Sequence, residues 1–344
     1  MIEKHLATLA NFNCTFKVNN QTFGMLHFFK DIIWPALNDK SLIRVTKKDK
    51  LIHTKYHISD LKIVEVADGS LALVGKHIKR TLLEISPDYT TDKGFFGKDD
   101  IKPSAPYSTF IILLNNHRVI YFPNKTGAPD IRSFASTIDK IITLYIKINR
   151  TKLKKELIAN DYIFKGIEYK NMKEFTDNYL DIILPLPELN VVAIESPELV
   201  KDAFDNIKTI RKVTFKFYKP NNEPLDFNNF FARSFDILDA TGSSSMNQIL
   251  NSPTENDIIQ DAVNSSEGKT DYIIDAVNNN SENVKLTPDK ITQRLPVEVD
   301  NLNSIEDNAK KVYNQVKEKE ILTEVSADNE KSYKKIFSYL KSLI

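Results

Sequence analysis

A single cysteine, Cys14, among 344 residues leaves no intramolecular disulfide framework and no cysteine-rich zinc site, a composition that fits a reducing cytoplasm. Glycine is scarce as well, at nine. Neither a G-x-G-x-x-G run nor a glycine loop ending in Gly-Lys-Ser/Thr is present, so nucleotide binding by those devices is unsupported. There is no G-x-S-x-G elbow for a serine nucleophile, and Cys14 lies in no readable nucleophile signature. Long hydrophobic runs are missing too. The densest stretches, "FIILL" and "IITLYIKI", have the length of a strand or a buried helix, short of the roughly 18 apolar residues of a membrane span. The chain is expected to carry no export leader and not to cross a membrane unaided.

Apolar side chains, by contrast, make up 41% of the chain, with 10% aromatic, enough for two packed cores. The net charge of +1 conceals a gradient: residues 1–150 hold 22 Lys and Arg against 14 Asp and Glu, whereas residues 221–344 hold 13 against 21. A basic first half suggests a surface that meets a polyanion, although acidic loops elsewhere produce the same count without any partner.

The expected fold class is α+β, with two domains, each a mainly antiparallel sheet with packed helices. The expected boundaries are a basic domain over 1–150, a second over 151–325 that turns acidic toward its end, and a helical extension over 326–344 whose Ile336, Leu340 and Ile344 are placed to dock on a partner. Helical periodicity is read over 23–37 and over 130–149, where Asp130 is a candidate cap after Pro129. It recurs at 171–180, at 196–208 behind the Ser196-Pro197 start, at 254–264, at 303–320 behind Ser304, and at 328–343. "SLIRV", "KLIHTKYHI", "LKIVEV" and "LALVGKHI" read as a meander of short strands with a turn at Asp68-Gly69, and "STFIILLNNHRVIYFP" as a central hairpin. In "RKVTFKFYKPNNEP", residues 211–224, period-two geometry puts Val213, Phe215 and Phe217 on a core face. Lys212, Thr214, Lys216 and Tyr218 then share the outer face, and the strand ends at Lys219, Pro220 and the two asparagines.

Candidate nucleic-acid contacts are distributed rather than concentrated in one motif: Lys47 and Lys48, Lys76, Lys79 and Arg80, Lys152, Lys154 and Lys155, and Lys212 with Lys216. Lysine and arginine at strand ends and in a hinge are placed to neutralise phosphates without reading sequence. The same residues also suit an ordinary solvated surface. No helix-turn-helix or zinc-finger pattern accompanies them. His53 and His57 stand four apart but lack the acidic residue of an H-E-x-x-H site, so no metal or other cofactor is expected. The enzyme-like alternative is Asp161 followed by Glu168-Tyr169-Lys170, the acid and E-x-K arrangement with which a restriction-type nuclease holds a divalent ion and orients water.

The block "YSTFIILLNNHRVIYFPNKTGAPDIRSFASTI", residues 107–138, resembles the central segment of the lambda RexA-like family of phage-exclusion (abortive-infection) proteins. The matching residues are Ser108 or Thr109 with Phe110, then Ile120 and Tyr121, Pro129, Ile131 and Phe134. The order of later elements is also similar, over about two thirds of the chain. The resemblance implies a cytoplasmic homodimer that binds DNA non-specifically and acts as an intracellular sensor in antiviral defence, encoded by a bacterium or its prophage and working beside a membrane-protein partner. It carries over no catalytic residue, which makes a non-enzymatic role the leading expectation. A metal-dependent nuclease and a non-DNA-binding subunit of a defence complex stand as the alternatives.

Overall fold

The computed structural model describes residues 2–48, 51–67, 69–85, 88–90, 92, 94–96, 100–218, 229–266, 268, 270–300, 302–319, 322 and 325–344. Its spine is strand β1 (Ile2–Val18), which uses both of its edges over most of its length. One edge pairs with Arg118–Pro123 and, through a tight turn at Asn19-Asn20, with β2 (Gln21–Gly24). The other edge takes Arg294–Asp300 against residues 2–8 and Pro187–Ala193 against residues 10–16. From Arg118–Pro123 the sheet continues through Tyr107–Leu113 to β5 (Ser70–Ile85), which also pairs with Asp100–Ser104, and on to β4 (Leu51–Ala67) and β3 (Arg44–Lys48), ten strands among the described residues and antiparallel throughout.

Both faces of this sheet are covered near β1. On one face Phe12, Phe16, Phe110, Ile112 and Tyr121 pack beneath the 29-residue helix Ile131–Ala159, capped by the Asp130 side chain, and beneath the C-terminal helix Ala327–Lys341. On the opposite face Leu9, Val64, Val66, Val74, Ile111 and Ile120 pack under Val312, Tyr313 and Val316 of helix Ile305–Lys317. Gly75 lets the sheet close over the core: a Cβ there would lie 2.6 Å from the Phe110 ring, so the neighbouring aromatic fills space that any side chain would need.

A second core gathers residues 200–291. Strand Ile207–Tyr218 is central in a four-stranded antiparallel sheet with Ser245–Asn251 on one side and Thr270–Asn278, then Asn283–Leu286, on the other. Val213, Phe215 and Phe217 point inward as the alternation requires and meet Phe231, Phe235 and Tyr272. The chain leaves the large sheet at Glu195 and re-enters it at Thr292, where the two residues form a bridge. The second unit is therefore an insertion between two strands of the first.

The α+β class is the observed architecture, with a large and a smaller antiparallel sheet and two short two-stranded ones among the described residues. Strand pairing, however, does not divide at residue 150: that position lies within helix Ile131–Ala159, and Pro187–Ala193 and Arg294–Asp300 complete the large sheet. The C-terminal helix docks on its own chain, with Leu340 and Tyr333 buried in the first core and only Ile344 of the three named residues largely exposed. From Leu51 on, "KLIHTKYHI" runs into "LKIVEV" as one strand, kinked at Asp60 by a register shift. The turn expected at Lys219 to Asn222 lies outside the described residues.

The junction of the two units is polar and buried. Ser266 donates to Glu195 Oε1 at 2.9 Å, the Gly268 N–H donates to Oε2 at 3.3 Å, and Asn11 donates its amide to the Gly268 carbonyl at 3.0 Å. Arg118, 2% exposed, donates to Asn11 Oδ1 from below. Burial pushes the Glu195 carboxyl up to about 7, against the opposing pull of its hydrogen bonds.

Candidate polyanion-binding surface

The β4–β5 ladder fixes which basic residues share a face. Lys55 is the direct partner of Arg80, His57 of Ile78, and Ser59 of Lys76. These side chains continue the face that helix Ile305–Lys317 covers nearer the turn, but they lie outward of its contacts with Val64, Val66, Ala72 and Val74. Arg80 and Leu82 are accordingly exposed there, and Lys55, His57 and Ile78 are half-buried. Lys55 and Arg80 form a like-charge cross-strand pair, an arrangement that costs the fold a few tenths of a kcal/mol up to about 1 kcal/mol. Among the described residues neither has an ion-paired carboxylate. His57 senses both cations: burial first, then the charges of Arg80 and Lys55, hold its imidazole below the ordinary histidine value.

The remaining sequence-derived candidates scatter. Lys76 is on the same face but is neutralised by Asp60 at 2.7 Å and lies over the Tyr107 ring. Lys79 points to the opposite face, beside Tyr56, whose ring is covered by Arg44. Lys47 is exposed on β3 next to a register shift, and the side chain of Lys48 lies outside the described residues, as does that of His53. Lys152, Lys154 and Lys155 occupy the last third of helix Ile131–Ala159. At 1.5 Å per residue they begin about 28 Å along its axis from Ser133, the residue that meets Arg44. The helix also lies on the other side of the sheet from Lys55 and Arg80, so these groups do not line a common channel.

Lys212 and Lys216 face carboxylates. In the register of the small sheet Lys212 stands opposite Asp275 and Lys216 opposite Asp271, while Lys285 forms an ion pair with Asp275 at 3.3 Å. Lys216 also lies over the ring of Tyr218. Tyr218 itself is buried rather than wet.

Asp161, Glu168 and Lys170 lie around a hairpin of two residues per strand, Ile163–Phe164 and Ile167–Glu168, and all three are exposed. Asp161 occupies the turn that ends the long helix, with φ of 48°. The backbone N–H of Lys170 is taken by Glu174. Among the described residues no group of three His, Cys, Asp or Glu stands close enough to hold a metal ion. The E-x-K geometry needs its acids on long adjacent strands, which this hairpin does not supply.

A crevice of about 440 Å³ lies at the start of helix Ile131–Ala159 and is lined in part by Thr8, Tyr121, Asp130, Arg132, Thr292 and Arg294. Sequence reading passed over Lys55, Arg132 and Arg294. Lys55 was recoverable, because folding "KLIHTKYHI" back on "LALVGKHIKR" around Asp68-Gly69 opposes it to the basic end of the second strand. The two arginines meet only through long-range pairing of Arg294–Asp300 with β1. Among the described residues no helix is long and apolar enough to cross a membrane. No family model matches the chain, and no curated protein matches it in sequence.

Proposed function

We propose that this is a non-enzymatic protein that binds DNA through its phosphates without reading bases. In keeping with the RexA-like order of elements, it would act as a cytoplasmic, homodimeric sensor in phage exclusion. The observation that carries the DNA reading is the Lys55/Arg80 pair: two cations held opposite each other beside a depressed histidine, on the part of the sheet face that lies beyond the contacts of helix Ile305–Lys317 among the described residues. A phosphate between them relieves their repulsion and releases counterions, so the cost in the free protein becomes affinity in the complex.

The test is anisotropy of a labelled 30-bp duplex of arbitrary sequence at low salt. Lys55→Glu with Arg80→Glu is expected to weaken binding by at least about tenfold, roughly 1.4 kcal/mol, with no dependence on duplex sequence. Unchanged binding by a folded double variant would reject the surface.

A second reading, an interaction subunit of a defence complex, is favoured by the outer face of the small sheet. There Ile249, Thr214 and Ile273 form a cross-strand row in which the two isoleucines are 51% and 41% exposed. DNA binding that is absent at low salt, together with co-purification that is lost on Ile249→Lys, would favour this reading over the first.

A further inference from the structure

We propose that the cavity between the C-terminal helix and the end of the β1–β2 hairpin is a binding site for a small anion that carries a flat ring with a hydrogen-bond donor. The cavity measures about 260 Å³, just below the range of roughly 300–1,000 Å³ that holds drug-sized ligands. Three separate segments build it: Thr22, Phe23, Leu26 and His27 after the hairpin, His117 from the turn before strand Arg118–Pro123, and Asn329, Ser332, Lys335 and Ile336 from the helix. Its walls are fixed in advance. Tyr333, on the turn of helix between Ser332 and Lys335, accepts from the Leu71 N–H and donates to the Gly69 carbonyl, both at 2.9 Å, and Lys341 pairs with Glu65 at 2.6 Å.

The lining dictates the ligand. His117 is 1% exposed, and Asn329, itself 3% exposed, is hydrogen-bonded to its imidazole, yet Nδ1 has no partner. Burial holds this histidine down to about 4, so the ring is neutral at physiological pH. With one nitrogen engaged by an amide, the neutral imidazole keeps a buried Nδ1 without a partner at the cavity wall, and a ligand N–H or O–H that reaches it on a small shift of the wall would satisfy its lone pair. Among the described residues of the wall Lys335 supplies the only full charge and none is a carboxylate, and Ser332 and Thr22 add hydroxyl groups, a set suited to a carboxylate or phosphate. Phe23 and His27, with ring centroids 4.6 Å apart, together with Leu26 and Ile336, offer flat apolar surface to a ring. Mononucleotides and aromatic carboxylates both present this chemistry.

Calorimetric titration of the full chain at pH 7.5 separates them, with AMP and GMP in one arm, 4-hydroxybenzoate and indole-3-carboxylate in the other, and inorganic phosphate and adenosine as controls. At least one ring-bearing anion is expected to bind with a Kd below about 1 mM, and both controls at least about tenfold more weakly. Lys335→Glu, on the solvent side of the wall, is expected to weaken that binding about tenfold, and Ser332→Phe to abolish it by filling the space. The proposal is overturned if neither arm binds below about 1 mM, if adenosine and phosphate bind as well as the ring anions, or if Lys335→Glu leaves the affinity unchanged.

Discussion

On the long hairpin of the large sheet Lys55 stands across from Arg80, whereas on the small sheet Lys212 and Lys216 stand across from Asp275 and Asp271. All four cations occupy outward positions on half-buried strands, and in the one-dimensional sequence they look alike. The difference lies in the neighbouring strand. Opposite charges across a ladder satisfy each other at a gain of roughly 0.2–1 kcal/mol, and like charges lose a similar amount. In the small sheet each lysine thus has a carboxylate at the opposite ladder position, while the hairpin pair has a like charge there and gains from an external anion. Counting basic residues ranks the two surfaces equally; registering them does not.

The largest effect expected within the fold concerns the junction that ties the two sheets together. Glu195 titrates near 7 in the folded chain and near 4.5 when exposed. Its protonated form thus stabilises the fold fully below about pH 4.5, and that stabilisation is lost as pH rises through about 7. Glu195→Gln should flatten the pH dependence of urea stability between pH 5 and 8, by up to an amount on the order of 3 kcal/mol. Parallel curves for variant and wild type would show that the junction is not where the two units feel pH.

Smaller effects test the charge comparison itself. Lys55→Glu converts the like-charge pair into an opposite-charge pair and should raise thermal stability by a few tenths of a kcal/mol to about 1 kcal/mol while lowering DNA affinity. Asp271→Asn with Asp275→Asn on the small sheet should do the reverse to stability and leave DNA affinity as it was. Equal signs for the two changes would break the distinction between the sheets. The smallest effect, and the most local, is on His57. Its imidazole resonances should titrate below the ordinary histidine value in the free protein and move upward either on Lys55→Ala or on binding DNA, since both reduce the positive field it experiences. An unshifted titration in the complex would place the phosphate elsewhere.

Much of the fold was legible because local rules held. The helices behind Asp130, Ser196 and Ser304 begin where their caps predict, and Val213, Phe215 and Phe217 take the core face that alternation assigns. What escaped was set by distant pairing. β1 carries Asn11, Asn13 and Thr15 at buried positions, so its sequence lacks the apolar pattern of a central strand. Of these, Asn11 lies at the junction, where it bonds Arg118 and Gly268 across more than one hundred residues of chain. The same strand recruits Arg294–Asp300 and Pro187–Ala193, which is why a boundary at residue 150 was reasonable in sequence and is not followed by the sheet. For the candidate site, the strand positions of Arg80, Lys212 and Lys216 were readable, but the sign of the charge opposite each was not, because it depends on register.

If the hairpin cations, and not the small-sheet lysines, neutralise phosphate, the salt dependence of binding reports it. The most direct test is the slope of log affinity against log salt for a short duplex, measured on wild type, on Lys55→Ala/Arg80→Ala and on Lys212→Ala/Lys216→Ala. Each phosphate contact contributes about 0.9 to that slope. The hairpin variant is expected to lose up to about 2 units of slope, and the small-sheet variant to superimpose on wild type. A loss of slope confined to Lys212→Ala/Lys216→Ala, with the hairpin variant unchanged, would contradict this.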